Sequence, residues 1–234
     1  MQSATVAQSG VHLEYGNAWA RPSGLQALDI FKGSSGETHA DLFNNWHTYD
    51  EDVAMWGYTA PEVVTRMLMA QFDGRYLSSD FANLKVLDAG AGSGLVGLAL
   101  SSRGFRHFTA IDASSSMLNA TADKIGVYQR EKMHVCDLNE RLSFVDDVFD
   151  VTISVGALDY CAPTGVLDEL ARVTAPGGIL AFTVPTDKLG AWDAAKSSLR
   201  HVADELYISD SMPLMPRRAN FEDKGYVAHL YRLR

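Results

Sequence analysis

Three carboxylates and a run of glycines carry the most legible chemistry in this chain. Residues 86–97 read Val-Leu-Asp-Ala-Gly-Ala-Gly-Ser-Gly-Leu-Val-Gly. Glycines there let the backbone turn tightly and let a ligand approach with no Cβ in the way. A helix starting at the end of such a loop aims its free N–H groups at that ligand. Gly92, Gly94 and Gly97 also satisfy the dinucleotide pattern GxGxxG, and Asp112 follows Gly92 by twenty residues. The loop alone therefore leaves more than one cofactor open. Asp88 faces a bound amino group better than a pyrophosphate, which it would repel. Asp112, ending a strand, can accept both hydroxyls of a ribose. Asp137-Leu138 suits an adenine, with a carboxylate for the exocyclic amine and an apolar neighbour for the ring.

The elements around these residues alternate. Strands are predicted over Leu84–Ala89, His107–Asp112, Lys132–Cys136, Phe149–Val155, Ile179–Val184 and Tyr226–Leu233. Helices are predicted over Gly94–Ser102, Ser115–Asp123, Thr164–Thr174 and Ala191–Tyr207, with a turn at Ala175-Pro176-Gly177-Gly178. Such alternation predicts an α/β fold, a mostly parallel sheet with helices on both faces. Ligands then bind beyond the carboxyl ends of the strands, where all three acids fall. Upstream, Ala40, Phe43, Trp46 and His47 have helical spacing. Thr59-Ala60-Pro61-Glu62 has the form of a capping box opening a helix with Val63, Val64, Met67 and Leu68 on one face.

The 234 residues are 47% hydrophobic and 21% charged, which excludes wholesale disorder and a disulfide miniprotein. A net charge of −9 opposes nucleic-acid backbones, so no nucleic-acid partner is expected. The two cysteines, Cys136 and Cys161, have no CxxC spacing and suit a reducing compartment. No apolar run is long enough to span a bilayer and the first ten residues carry no signal-peptide pattern, so a cytoplasmic protein without a membrane partner is expected. Residues 1–83 read as a leader and helical cap, and 84–234 as the cofactor-binding core. Residues 1–37 show weak periodicity, with a loop at Lys32–Gly36.

The ordered motifs resemble the class I S-adenosylmethionine-dependent methyltransferases. VLDAGAGSGLVG matches their glycine motif, FTAIDASSSML the ribose-acid segment, VCDLNERL the adenine segment, FDVTISVGALDY the fourth-strand motif and ELARVTAPGGILAFTVP the helix–turn–strand that follows. The segment Trp46–Leu68 is similar to the small methyltransferase-like subfamily typified by the Williams–Beuren region protein. The resemblance implies a doubly wound Rossmann-like, seven-stranded mixed sheet whose last strand is antiparallel. It implies S-adenosyl-L-methionine as cofactor, with S-adenosyl-L-homocysteine as product. Asp88, Gly90, Ala91, Gly92 and Gly94 would cradle the methionine part, and Asp112 the ribose. Ala113, Met117, Asp137 and Leu138 would lie at the adenine, and Ser154, Val155 and Gly156 under the sulfonium. Many relatives carry Glu-His where this chain has Asp159-Tyr160, so a histidine base is absent there.

The expected reaction is in-line methyl transfer to O, N or S of a small-molecule acceptor, by a monomer or homodimer. Tyr160, Asp159 and His47 are the candidates for a catalytic group, and Tyr49 is the aromatic residue expected at the methionine end. Trp46, His47, Tyr49, Trp56 and Tyr58 read either as packing or as a lid. Asp50-Glu51-Asp52 reads as a solvated face or as an attractor of a cationic amine. His134 and His201 read as packed residues, both thiols as inert, and no residue set has metal-ligand spacing. A nicotinamide-dependent oxidoreductase and a non-catalytic cofactor-binding module are the rival readings.

Overall fold

The computed structural model describes residues 39–72, 78–124, 126–216 and 224–234. Thr38–Arg234 form one compact unit. The leader, with its predicted loop at 32–36, lies outside the described residues. Helices α1 (His39–Asn44), α2 (Tyr49–Met55), α3 (Ala60–Met69) and α4 (Ser78–Phe81) precede strand β1 (Lys85–Ala89). Then follow α5 (Leu95–Ser101), β2 (His107–Asp112), α6 (Ser115–Ala122), β3 (Met133–Val135), β4 (Phe149–Ser154), α7 (Pro163–Val173), β5 (Thr174–Pro185), α8 (Leu189–Leu199), β6 (Ala203–Ile208), β7 (Met212–Pro213) and β8 (Gly225–Leu233).

The sheet runs β3-β2-β1-β4-β5-β8-β6, with the two-residue β7 paired to β8 outside this path. The neighbours from β3 to β5 are parallel, whereas β8 is antiparallel to β5, β6 and β7. The architecture is the expected Rossmann-like mixed sheet, with one small added edge strand. Successive residues of a strand point to opposite faces. Val86, Ile179 and Ala181 accordingly join a core with α3 and α5, while Leu87, Leu180 and Phe182 join one with α7 and α8.

Three local expectations are corrected. The helix predicted over Ala191–Tyr207 stops at Leu199, and Ala203–Ile208 pairs with β8 instead. Val202, which shares a helical period with Ala195, Leu199 and Leu206, is about half exposed, and the open edge of β8 gives the next residues backbone partners that a longer helix would leave unpaired. The turn predicted at Ala175–Gly178 is a bulge within β5: the register jumps from Phe149–Thr174 to Val151–Ile179. Pro61 sits in the first turn of α3 as expected, but the Thr59 side chain makes no capping hydrogen bond, so the capping box does not form.

Candidate functional site

Beyond the carboxyl ends of β1, β2 and β4 lies a cavity of about 240 Å³. Its floor is the loop from Gly90 to Gly94, which turns sharply between β1 and α5. Gly90 and Ala91 both donate their backbone N–H to the Ile111 carbonyl, at 2.8 and 2.9 Å, tying the loop to β2. Gly92 has φ +56, and a Cβ added there meets no atom within 4 Å. The loop is thus open toward the cavity that Gly92 lines.

Asp112 is the hinge of this floor. One carboxylate oxygen accepts the Gly92 N–H and the other the Ser114 N–H, each at 2.8 Å. Burial pushes its pKa up, and the two backbone donors pull it back. Ser114 accepts the Met117 N–H at 3.1 Å and so caps α6, which fixes Ala113 and Met117 at the cavity wall. Asp137 lines the opposite wall with Leu138. Its carboxylate accepts both the backbone and side-chain N–H groups of Asn139, at 2.9 and 2.8 Å, which orients it. Val155 and Gly156 close the cavity from β4, with the Gly156 N–H donated to Thr183 Oγ1 at 2.8 Å.

Three expected cofactor contacts, Asp88, Gly94 and Ser154, lie outside the cavity lining, and Gly94 faces Tyr128 and Thr121 instead. Asp88 has no exposed surface and lies outside the cavity lining, where its carboxylate accepts the Tyr128 hydroxyl. It is the penultimate residue of the central strand β1, buried on both sides. Ser154 is likewise fully buried and outside the lining; its Oγ has no hydrogen-bond partner among the described residues.

The roof is aromatic. Phe43, Tyr49, Tyr58 and Tyr160 all line the cavity. Phe43 meets Tyr160 edge-on at 5.4 Å between ring centroids, and Trp46 meets Tyr49 edge-on at 4.9 Å. Burial raises the pKa of Tyr49 and Tyr58 far above the usual tyrosine value, so both hydroxyls stay protonated at neutral pH. Asp159 stands behind this wall rather than in it. Burial lifts its carboxyl to about 6, against the pull of Lys188.

His47, a catalytic candidate by sequence, is exposed and does not reach the cavity. Its neighbour Trp46 takes the inward position and donates Nε1–H to Asp52 at 2.8 Å. The acidic run is also occupied. Asp52 is buried and accepts Thr48 Oγ1–H as well, at 2.8 Å, while Asp50 accepts both Ser93 Oγ–H and the Lys124 ammonium, the latter at 2.6 Å. Asp50 thus ties the roof to the floor and Asp52 braces the roof internally, which leaves Glu51 as the solvated member of the run.

Sequence reasoning missed Asn44, Lys124 and Tyr128. Asn44 Oδ1 accepts Ser114 Oγ–H at 2.8 Å and the Ser116 N–H at 3.2 Å, pinning α1 over α6. No spacing rule joins residues seventy positions apart, so these pairs carried no signal. Cys136 and Cys161 both line the cavity, and burial raises both thiols, Cys161 to about 12. Among the described residues no cluster of His, Cys, Asp and Glu could hold a metal, and no helix is long and apolar enough to cross a membrane.

The lining fits a cationic adenosyl cofactor: Asp112 and Asp137 contribute the charges, and no Lys, Arg or His lines the cavity among the described residues. Comparisons with known proteins point the same way. Residues 86–178 match the family described as "Methyltransferase domain". Human methyltransferase-like protein 27 is 36% identical over 149 residues, covering 62% of this chain and 57% of that protein. The demethylmenaquinone methyltransferase of Mycolicibacterium vanbaalenii is 40% identical over 147 residues, covering 61% and 57%. The chain thus spans little more than half the length of these curated relatives. Among solved structures, a TehB-like S-adenosylmethionine-dependent methyltransferase from Corynebacterium glutamicum has a TM-score of 0.54 at 18% identity, covering 82% of this chain and 98% of that one. Geranyl diphosphate C-methyltransferase from Streptomyces coelicolor, with S-adenosyl-L-homocysteine bound, has 0.54 at 13% identity, covering 73% and 79%. At these identities the two structures speak for the fold.

Proposed function

Because this chain carries a class I S-adenosylmethionine-dependent methyltransferase domain, we propose that it transfers a methyl group to a small-molecule acceptor by in-line displacement. The observation that carries the reading is the sign of the cavity: two oriented carboxylates, an open glycine loop and no basic side chain in the described lining.

In this reading Asp112 accepts the ribose hydroxyls with the lone pairs left after Gly92 and Ser114 are satisfied. Asp137 takes the adenine amine, and Leu138 and Met117 pack on the ring. Gly90, Ala91 and Gly92 leave room for the methionine tail, and Tyr49 covers it. When bound, S-adenosylmethionine supplies a methyl group already activated by its sulfonium. The chain's task is then to position the acceptor and exclude water. Helices α1 and α2 do this as a cap, with Phe43 and Tyr49 on its inner face and Tyr160, after β4, meeting Phe43 edge-on. Tyr160 is the catalytic candidate that reaches the cavity. Asp159, with its carboxyl near 6, is largely ionised at neutral pH and biases Tyr49 and Tyr58 toward acting as donors.

The acceptor is proposed to be a small molecule that enters against the aromatic wall of Phe43, Tyr49 and Tyr160. Oxygen, nitrogen or sulfur is the proposed acceptor atom, and the structure of the product identifies which. Metabolite fractions incubated with methyl-labelled cofactor should yield one labelled product, whose mass and fragmentation locate the new methyl. If cofactor binds but no fraction produces S-adenosylhomocysteine, the chain is a binding module and the proposal fails.

A further inference from the structure

Tyr128 lies in the loop after α6, far in sequence from every motif, yet it touches the cofactor floor from below. It is 8% exposed, and its ring packs against Phe108 of β2 with 5.3 Å between centroids. The hydroxyl makes two hydrogen bonds: it donates to Asp88 of β1 and accepts the Gly97 N–H at 2.9 Å. Gly97 is the third residue of α5, and its N–H is one of the four that a helix leaves without an internal partner. The N-cap residue is Gly94, which has no side chain to supply one. Tyr128 therefore caps α5 from outside.

The glycines match this arrangement. A Cβ on Gly97 would stand 2.1 Å from the Tyr128 oxygen, and one on Gly94 would stand 3.0 Å from its ring. The Gly94 and Gly97 positions that made the loop resemble a dinucleotide motif are thus kept small by Tyr128. A ligand is not needed to explain them.

We propose that Tyr128 is a positioning residue for the cofactor: its hydroxyl relays Asp88 to the N-terminus of α5 and holds the glycine loop in its binding geometry. This rests on the cofactor reading above. Asp88 is held at about 7, raised by burial and by the Asp112 carboxylate and lowered by the Tyr128 hydroxyl and the Gly97 N–H. Its second carboxylate oxygen is buried with no partner among the described residues. Below pH 7 the carboxyl is protonated; above it the carboxylate is present and accepts the Tyr128 hydroxyl more strongly, which tightens the hold on Gly97 and the glycine loop. Affinity for the cofactor product is therefore expected to rise with pH through about 7.

The test uses the full chain and Tyr128→Phe, which keeps the ring and removes the hydroxyl. Calorimetry with S-adenosylhomocysteine between pH 6 and 8.5 should show about tenfold weaker binding at pH 7, worth ~1.4 kcal/mol. The midpoint of the pH profile should move upward, because the carboxylate has lost a donor. Amide hydrogen exchange in the ligand-free chain should show Gly97 exchanging faster in the variant. Affinity within twofold of wild type with an unmoved midpoint overturns the proposal, as does unchanged exchange at Gly97. Asp88→Asn covers the case in which Tyr128→Phe does not fold: it keeps an oxygen facing the hydroxyl, so Gly97 should stay protected while the pH dependence disappears. A surviving midpoint in that variant also overturns the proposal. Wild-type chain that binds no S-adenosylhomocysteine sinks the cofactor reading instead, and the exchange result separates the two failures.

Discussion

The floor and the roof of the cavity are built by different rules. The floor hangs on backbone: Gly90 and Ala91 on Ile111, Gly92 and Ser114 on Asp112, Asn139 on Asp137. The roof hangs on side chains that bridge long stretches of sequence: Asn44 to Ser114, Asp50 to Ser93 and Lys124, Phe43 to Tyr160. A floor of that kind needs particular residue types at particular strand ends, whereas a roof of this kind accepts many solutions. In the proposed function, binding of the cofactor belongs with the first and choice of acceptor with the second.

Breaking the floor should have the largest effect. Asp112→Ala removes the proposed ribose acceptor and also leaves the Gly92 and Ser114 N–H groups unpaired. Affinity for S-adenosylhomocysteine by calorimetry should fall tenfold or more, at least ~1.4 kcal/mol; an unchanged Kd would remove Asp112 from the site. Next comes the roof. Tyr49→Ala should slow turnover roughly tenfold while lowering the melting temperature little, since it loses a wall but few core contacts. Equal losses of activity and Tm would mean that Tyr49 is packing. Asp50→Asn weakens the roof-to-floor tie at a half-exposed ion pair, so the expected change in cofactor affinity is only a few-fold, about 0–1 kcal/mol. It should shrink further in high salt. His47→Ala should change neither kcat nor Kd measurably, because the ring faces solvent.

One comparison can be made by pH. Asp159 has its carboxyl raised from 3.8 to about 6, so the native state holds its proton more tightly than the unfolded chain. Stability from this group is therefore lost as pH rises from about 4 to 6. Melting temperatures of Asp159→Asn across that window should show a flatter decline than wild type; parallel curves would mean that the carboxyl is not buried as described.

What could be read in the sequence follows the same division. Asp112, Asp137 and the glycine loop were legible because strand ends fix where such residues must sit. The sheet was legible because strand and helix periods alternate. The helix expected over Ala191–Tyr207 overruns at residues 200–207 because Leu199, Val202 and Leu206 fit a helical period, while the edge of β8, some twenty residues later, recruits Ala203–Ile208 as a strand. His47 was misplaced because periodicity cannot say which of two adjacent residues turns inward; a buried Trp46–Asp52 hydrogen bond decides that. Tyr128 gave no signal because its role depends on missing atoms at Gly94 and Gly97, visible only once the chain is folded.

The central claim is that the acidic, glycine-floored cavity takes a cationic adenosyl cofactor. Titrating the wild-type chain in parallel with S-adenosylhomocysteine and NADH tests it most directly. The account predicts saturable one-to-one binding of S-adenosylhomocysteine, abolished or strongly weakened by Asp112→Ala, and no binding of NADH. Saturable binding of NADH with none of S-adenosylhomocysteine would contradict it.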